Sequence, residues 1–162
     1  MQPTDDLSSI QHDILAAYGD LESPSFCFAQ ERREQQWHAP IVRAIFERFD
    51  GEDVTTLDDE VCLSVLVRPR GAKDNRWSVR LSLVGPYALV TRITGRADRW
   101  LVSKDDADHD ELELMRLVKE GGLRIVASSV LRQPIALRTP SLPPDQVTVY
   151  NALFTDFSLF PV

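Results

Sequence analysis

The chain has 162 residues and a formal net charge of −7, and 43% of its residues are hydrophobic. This length suits a single domain with an ordinary core, and the acidic balance disfavours nonspecific binding to nucleic acid or to an anionic membrane. Because the N-terminus lacks signal-peptide features and no apolar run approaches the roughly 20 residues of a membrane span, we expect a cytoplasmic protein.

Charge is distributed unevenly along the chain. Residues 1–60 carry a net charge of −10, residues 61–104 carry +7, and residues 105–122 carry −5. We therefore divide the predicted domain, residues 1–162, into an acidic helical part (1–60), a basic β-meander (61–104) and a helix followed by C-terminal strands (105–162). The basic middle is expected either to bind a partner or to be neutralised by the acidic segments on either side.

Two helices are predicted in the first segment. The first runs from about Asp5 to Tyr18, with an apolar stripe at helical spacing, and Gly19 ends it. Residues 21–37 are predicted to be mostly irregular. The second helix begins near Pro40 and is closed by Asp50-Gly51, and residues 51–60 are expected to form an acidic loop.

The basic segment alternates apolar and polar residues with a period of two. The runs "VCLSVLVR", "WSVRLSLV", "YALVTRIT" and "RWLVS" are separated by "PRGAKDN", "GP" and "GRAD", which are typical turn sequences. This pattern predicts a meander of about four antiparallel strands. Helices before and after such a meander define an α+β fold.

A third helix is predicted from about Asp110 to Glu120. Asp108 and Glu111 have the spacing of a capping box, and Gly121-Gly122 ends the helix. The alternating aspartates at 106, 108 and 110 suggest a calcium loop, but such a loop requires glycine at 111 and a carboxylate at 117, where the sequence has Glu111 and Leu117. We therefore favour the capping interpretation.

The C-terminal part contains the short apolar runs "LRIV" and "IALR" and then a proline-rich connector. The segment "VTVYNALF" alternates β-branched and aromatic residues with polar ones, which predicts a strand over residues 147–154. The last eight residues, 155–162, are expected to dock on the fold or at an interface, and we favour the core of the protein.

The sequence contains no recognisable catalytic or metal-binding motif. His12, His38 and His109 lack metal-ligand spacing, and there is no P-loop or G-x-S-x-G. Cys27 and Cys62 are expected to be ordinary buried thiols. Asp58, Asp59 and Glu60 are expected to lie in a solvated loop. We therefore predict no cofactor and no metal, and a protein that is not an enzyme.

A candidate binding surface comes from the arginines of the meander. Alternation places Arg68, Arg80 and Arg92 on one polar face with several serines, and Arg96 and Arg99 join Arg70, Lys73 and Arg76 in the turns. Such a face can clamp carboxylates or phosphates, which predicts an acidic partner. The alternative is that an acidic helix of this protein packs there and pairs with it. Because Trp77 falls on the apolar face, the sheet lacks the exposed aromatics of an RNA-binding surface.

Taken as a whole, the chain resembles the immunity proteins of bacterial polymorphic toxin systems. The resemblance lies in its small size, its acidity, the N-terminal helices before a meander, and the apolar stretches "VTVYNALF" and "LFTDFSLFP" near its end. It implies a protein partner, a cognate toxin domain that is neutralised by direct binding and charge steering. The resemblance carries no catalytic motif, so no residue role follows from it.

Two further functions stay open at this stage. Acidic secretion chaperones of the type III kind are also small α+β proteins, usually dimeric, and hold an effector segment on apolar grooves. An enzyme of unrecognised type is the third possibility, because catalytic residues can be scattered along a chain. The protein is expected to be a monomer or a homodimer.

Overall fold

A computed structural model of the chain describes residues 3–57, 60–93 and 99–155. It contains helices α1 (Pro3–Tyr18), α2 (Cys27–Glu34), α3 (Ala39–Arg48), α4 (His109–Glu120), α5 (Ser128–Leu131) and α6 (Val149–Leu153). The strands are β1 (Asp50–Asp53), β2 (Cys62–Arg68), β3 (Trp77–Ser82), β4 (Tyr87–Ile93), β5 (Arg99–Leu101) and β6 (Arg124–Ile125), and a short 3-10 helix covers Pro144–Gln146. The fold is α+β, as the sequence predicts.

The sheet has the order β1-β2-β3-β4-β5, and all of these neighbours are antiparallel. The predicted meander is therefore confirmed in β2 to β5, where each strand pairs with the next in sequence. β6, from the run "LRIV", pairs in parallel with the start of β4. β6 follows α4 in the chain, and this long connection from β4 allows the two strands to run in parallel.

Helices cover both faces of the sheet. On one face Phe49, which follows α3, meets Trp77 with ring centroids 5.9 Å apart, and Trp77 donates a hydrogen bond to Glu111 of α4 at 3.0 Å. On the other face Ser82 donates to the Leu153 carbonyl of α6 at 2.7 Å, and Tyr87 donates to Asp13 of α1. Because helices pack on both faces of the sheet, β3 is buried along its whole length.

Several local predictions are confirmed by the helix ends. The first helix ends at Tyr18, and Gly19 follows with φ of +79°, a conformation that glycine adopts without strain. The capping box at the third predicted helix is present: Asp108 accepts from the Glu111 N–H, and Glu111 accepts from the Asp108 N–H, both at 2.9 Å.

The segment before β2 differs from prediction in two places. Residues 27–34 form α2, although we predicted a mostly irregular segment. Asp50-Gly51 begins β1 and does not close a helix as a turn. A Cβ on Gly51 would lie 2.4 Å from the Leu66 carbonyl oxygen, so glycine here permits the close approach of β1 to β2.

The predicted strand over residues 147–154 is wrong. Val149–Leu153 is a short helix, capped by Thr148 and Asn151 in a second capping box. All five residues of α6 are buried, so the helix shows no polar face and no helical period. A short apolar run of this kind looks the same in sequence whether it is a buried helix or a strand. The predicted docking segment 155–162 lies outside the described residues, apart from Thr155.

No described helix reaches the length and apolarity of a membrane span; the longest, α1, has 16 residues.

Candidate partner-binding site

The register of the sheet separates the arginines that we predicted to share one face. Arg80 lies opposite Ser64 on β2 and Leu89 on β4, whereas Arg92 lies opposite Trp77 on β3. Arg80 and Arg92 therefore project from opposite faces, so the predicted surface shared by all three arginines is wrong, although Arg68 does lie on the same face as Arg80. The turn between β3 and β4 sets the register of these two strands. A change of one residue in register moves every side chain of a strand to the other face of the sheet.

Arg80 belongs to a buried polar network on the α6 face. Its guanidinium donates to the Tyr150 hydroxyl at 2.8 Å and lies 3.7 Å from a Glu60 carboxylate oxygen. The other Glu60 oxygen accepts from the Ser64 hydroxyl at 2.8 Å. Glu60 was expected in a solvated loop with Asp58 and Asp59, which lie outside the described residues, but its side chain is only 15% exposed. The network therefore fixes α6 and the entry to β2 against the sheet.

The two cysteines have different surroundings. Cys62 is fully buried, and burial raises the pKa of its thiol to about 12. Its sulfur lies 3.6 Å from the Ser64 hydroxyl oxygen. The thiol is therefore protonated and unreactive at neutral pH. Cys27 is exposed at the start of α2, so the prediction of a buried thiol is wrong for this residue.

Arg92 is engaged on the opposite face by α4. Its Nε and Nη2 donate to the two oxygens of Glu111, each at 2.6 Å, and it also pairs with Asp106 at 3.3 Å. The hydrogen bonds from Arg92 hold the pKa of Glu111 at about 2, against the opposing effect of burial. For Arg92 the alternative that we left open therefore applies, because an acidic helix of the same chain pairs with it.

The remaining basic residues collect at one end of the sheet. β2 and β4 end on the same side, so the turn that follows β2 lies beside the end of β4. The Arg76 carbonyl accepts from the Ile93 N–H at 2.7 Å, and Arg99 occupies the backbone position opposite Ile93 on β5. Arg96 lies outside the described residues. We call residues 68–76 the basic turn.

Acidic side chains of β1 hold the basic turn, one through its backbone and one through a side chain, without neutralising its exposed cations. Asp50 accepts from the Gly71 N–H at 3.0 Å, and Glu52 accepts from Asn75, which in turn accepts from Arg68 at 3.0 Å. Exposed cations remain at Arg70, Lys73 and Arg76. In the described part of the chain, none of these three forms an ion pair with a carboxylate.

The turn between α2 and α3 is a second feature with a fixed geometry, and no sequence pattern predicted it. Gln36 and His38 both have positive φ, near 60°, which is uncommon for residues other than glycine. His38 Nε2 donates to the Ser82 carbonyl at 2.7 Å, and burial lowers the pKa of His38. Arg32 stacks on Trp37 at 4.4 Å and donates to the Leu83 carbonyl at 2.6 Å. These contacts bind the helical segment to the end of β3.

Comparison with known proteins does not assign this fold. Neither the known protein families, nor curated proteins, nor solved structures include a match to the chain. The described surface carries one feature that bears on function, an exposed set of cations held on the basic turn.

Proposed function

We propose that this protein is a cytoplasmic immunity protein, which neutralises a cognate bacterial toxin domain by binding it directly and without catalysis. The basic turn carries the proposal. Three exposed cations, at Arg70, Lys73 and Arg76, lie on a turn whose backbone is held by Asp50 and by the ladder to Ile93. The Arg70 guanidinium donates to the Glu47 carbonyl of α3 but is not neutralised by it. The partner is a protein with an acidic surface, and this chain binds it as a monomer or a homodimer.

Charge arrangement supports binding to a protein more than to a polyanion. The exposed cations of the basic turn stand beside the acidic strand β1, within a chain whose net charge is −7. A nucleic acid would meet repulsion from these neighbouring acids, whereas a folded protein can match a local positive patch and a local negative one together. Steering by such patches raises association rates and rejects wrong partners.

Fixed geometry supports the proposal in a second way. Binding energy is lost when a loop must be ordered on association. Here the Gly71 N–H of the basic turn donates to the Asp50 carboxylate, and the side chain of Asn75 donates to the side chain of Glu52. Ordering of the turn is therefore largely complete before the partner arrives.

The test is co-expression with the product of the reading frame adjacent to the gene. We expect that product to arrest growth when expressed alone, and the present protein to restore growth and to form a one-to-one complex with it. If the adjacent product is harmless, or is toxic but forms no complex with this protein, the proposed function is wrong.

The role of the basic turn has its own test. The double variant Lys73→Glu/Arg76→Glu should weaken the complex by at least tenfold and reduce its salt dependence. A matched control, Arg43→Glu/Arg138→Glu, makes the same change in net charge at two exposed positions elsewhere on the surface. Equal losses in the two double variants would show that only net charge matters, and would remove the basic turn from the proposal.

A further inference from the structure

The outer edge of β4 is shared by two short strands that run towards each other. β5 is antiparallel to β4 and ends where the Val102 N–H donates to the Val90 carbonyl at 2.9 Å. β6 is parallel to β4 and ends where the Val126 N–H donates to the Ala88 carbonyl at 3.2 Å. The chain leaves the sheet after each strand, so a notch remains between them at the middle of β4.

β6 also has an outer edge of its own. The N–H groups of Arg124 and Val126 both point inward, to carbonyls of Pro86 and Ala88. In a parallel ladder alternate residues bond to opposite sides, so the N–H and C=O of Ile125 face outward. No described strand pairs with this edge. Outward N–H and C=O groups at a sheet edge can pair with an added strand, and here Ile125 supplies one of each.

Two hollows border this edge, one on each side of β6. The first, of about 340 Å³, opens towards α1 and has Ile10, Tyr87 and Val130 in its wall. The second, of about 330 Å³, opens between the end of β5 and α4, over Val90 and Met115. Four residues line both hollows: Lys119, Ile125, Val126 and Ala127. Each hollow is large enough for one apolar side chain.

The cations around the two hollows differ in their partners. Arg124 is occupied, because it pairs with Asp6 at 2.8 Å and stacks on Tyr87 at 5.2 Å. Lys104 and Lys119 are exposed, and neither forms an ion pair with a carboxylate of the described chain. The second hollow thus combines an apolar floor with two available ammonium groups. This combination complements a segment that carries both apolar and acidic side chains.

We propose that the outer edge of β6 binds an extended segment of a partner protein as an added strand. The segment bonds to the N–H and C=O of Ile125, and its successive side chains enter the hollows on the two sides of the sheet. Main-chain bonds give affinity in this mode, and the pockets for alternate side chains give specificity. Carboxylates of the segment lie near Lys104 and Lys119.

This site stands apart from the basic turn. β6 pairs with Tyr87 and Ala88 at the start of β4, whereas the basic turn lies beside Ile93 at its end. The proposal therefore does not depend on the immunity function, and we expect variants at either site to leave the other unchanged.

The experiment selects extended peptides from a phage library of random nonamers, with the full chain as the target. We expect enrichment of peptides in which two or three consecutive apolar residues are flanked by Asp or Glu. Binding of these peptides should fall at least tenfold in Ile125→Pro, which removes the outward N–H while the extended conformation of Arg124 suits a following proline. The matched control Ile125→Ala keeps the N–H and should retain binding.

Circular dichroism of both variants tests whether the fold is kept, and Lys119→Glu provides a second variant on the surface. Lys119→Glu should lower affinity for the acidic peptides, and Arg43→Glu should not. The proposal is overturned if no peptide is enriched, or if the peptides bind the proline and alanine variants equally.

The proposal is also overturned if something other than a segment of a partner protein occupies the outer edge of β6. If the protein is a dimer that Ile125→Pro converts to a monomer, the edge pairs with a second copy of this chain. If peptides bind only after the chain is shortened at Thr155, the residues beyond Thr155 occupy the edge.

Discussion

The two oxygens of the Glu111 carboxylate each accept a hydrogen bond of 2.6 Å from the Arg92 guanidinium. Oε1 also accepts from Trp77 Nε1 at 3.0 Å, and Oε2 accepts from the Asp108 N–H at 2.9 Å. One buried side chain thus connects β3, β4 and the start of α4. Because every lone pair of this carboxylate is engaged, its burial is compensated.

Replacement of Glu111 by glutamine should destabilise the fold. The amide lacks the negative charge that pairs with Arg92, and its NH₂ group faces donors where the carboxylate accepted. Removal of one partner of a buried ion pair costs about 3–5 kcal/mol, and the partial exposure of Arg92 lowers the expected loss to about 2–4 kcal/mol. Urea unfolding measures the change. The control Glu113→Gln, which affects the pairs with Arg48 and Arg116 at the surface, should cost much less.

Protonation of Glu111 should lower the stability of the folded protein in acid. Arg92 holds the pKa of Glu111 at about 2, below its ordinary value of 4.5, so the unfolded chain binds a proton that the folded protein does not. The stabilisation is present above pH 4.5 and is lost as the pH falls towards 2, with a magnitude on the order of 3 kcal/mol. Unfolding free energies at several pH values between 7 and 2.5 test this. Glu111→Gln should show a shallower slope in that interval, and an equal slope would contradict the assignment.

The helix at residues 149–153 should depend on its cap. Asn151 accepts from the Thr148 N–H at 2.9 Å and donates to the Thr155 carbonyl at 3.0 Å. Thr148→Val keeps the shape of the side chain but removes the hydroxyl of the capping box, and should lower the free energy of unfolding by about 1 kcal/mol. Thr148→Ser keeps the hydroxyl and should restore most of the loss. A strand in this segment would instead favour valine, so the sign of the change distinguishes the two structures.

The two thiols should differ in reactivity. Cys62 is buried and burial raises its pKa to about 12, whereas Cys27 is exposed. Ellman's reagent should therefore modify one thiol in the native protein and two in denaturant. Cys27→Ser should leave no rapidly reacting thiol in the native state. Two rapid equivalents in the native protein would mean that the entry to β2 opens easily.

Local sequence signals accounted for the features that a few neighbouring residues decide. The alternation in residues 61–104 predicted the meander, because adjacent strands joined by short turns pair with each other. The box at Asp108 and Glu111 was predicted because its bonds span three residues. The position of the basic residues 70, 73 and 76 in a turn also followed from local chemistry.

The candidate site was predicted only in part. The sequence located Lys73 and Arg76 at a turn, but it gave no sign that Asp50 and Glu52 hold that turn from the neighbouring strand. The notch between β5 and β6 was not predicted, because β6 reaches the edge of β4 through a crossover after α4. Contacts between residues distant in sequence carry no local pattern.

The sequence by itself determined the fold class, the meander and the ends of several helices, since these depend on hydrophobic period, turn residues and caps. Only the tertiary structure decided which face each arginine occupies, because register depends on the geometry of the turn after β3. It also decided that residues 149–153 form a helix, because a segment buried on all sides carries no amphipathic period. Arg80 and Arg92 both stand at polar positions of alternating strand sequences. They have different partners because α6 packs over one face of the sheet and α4 over the other.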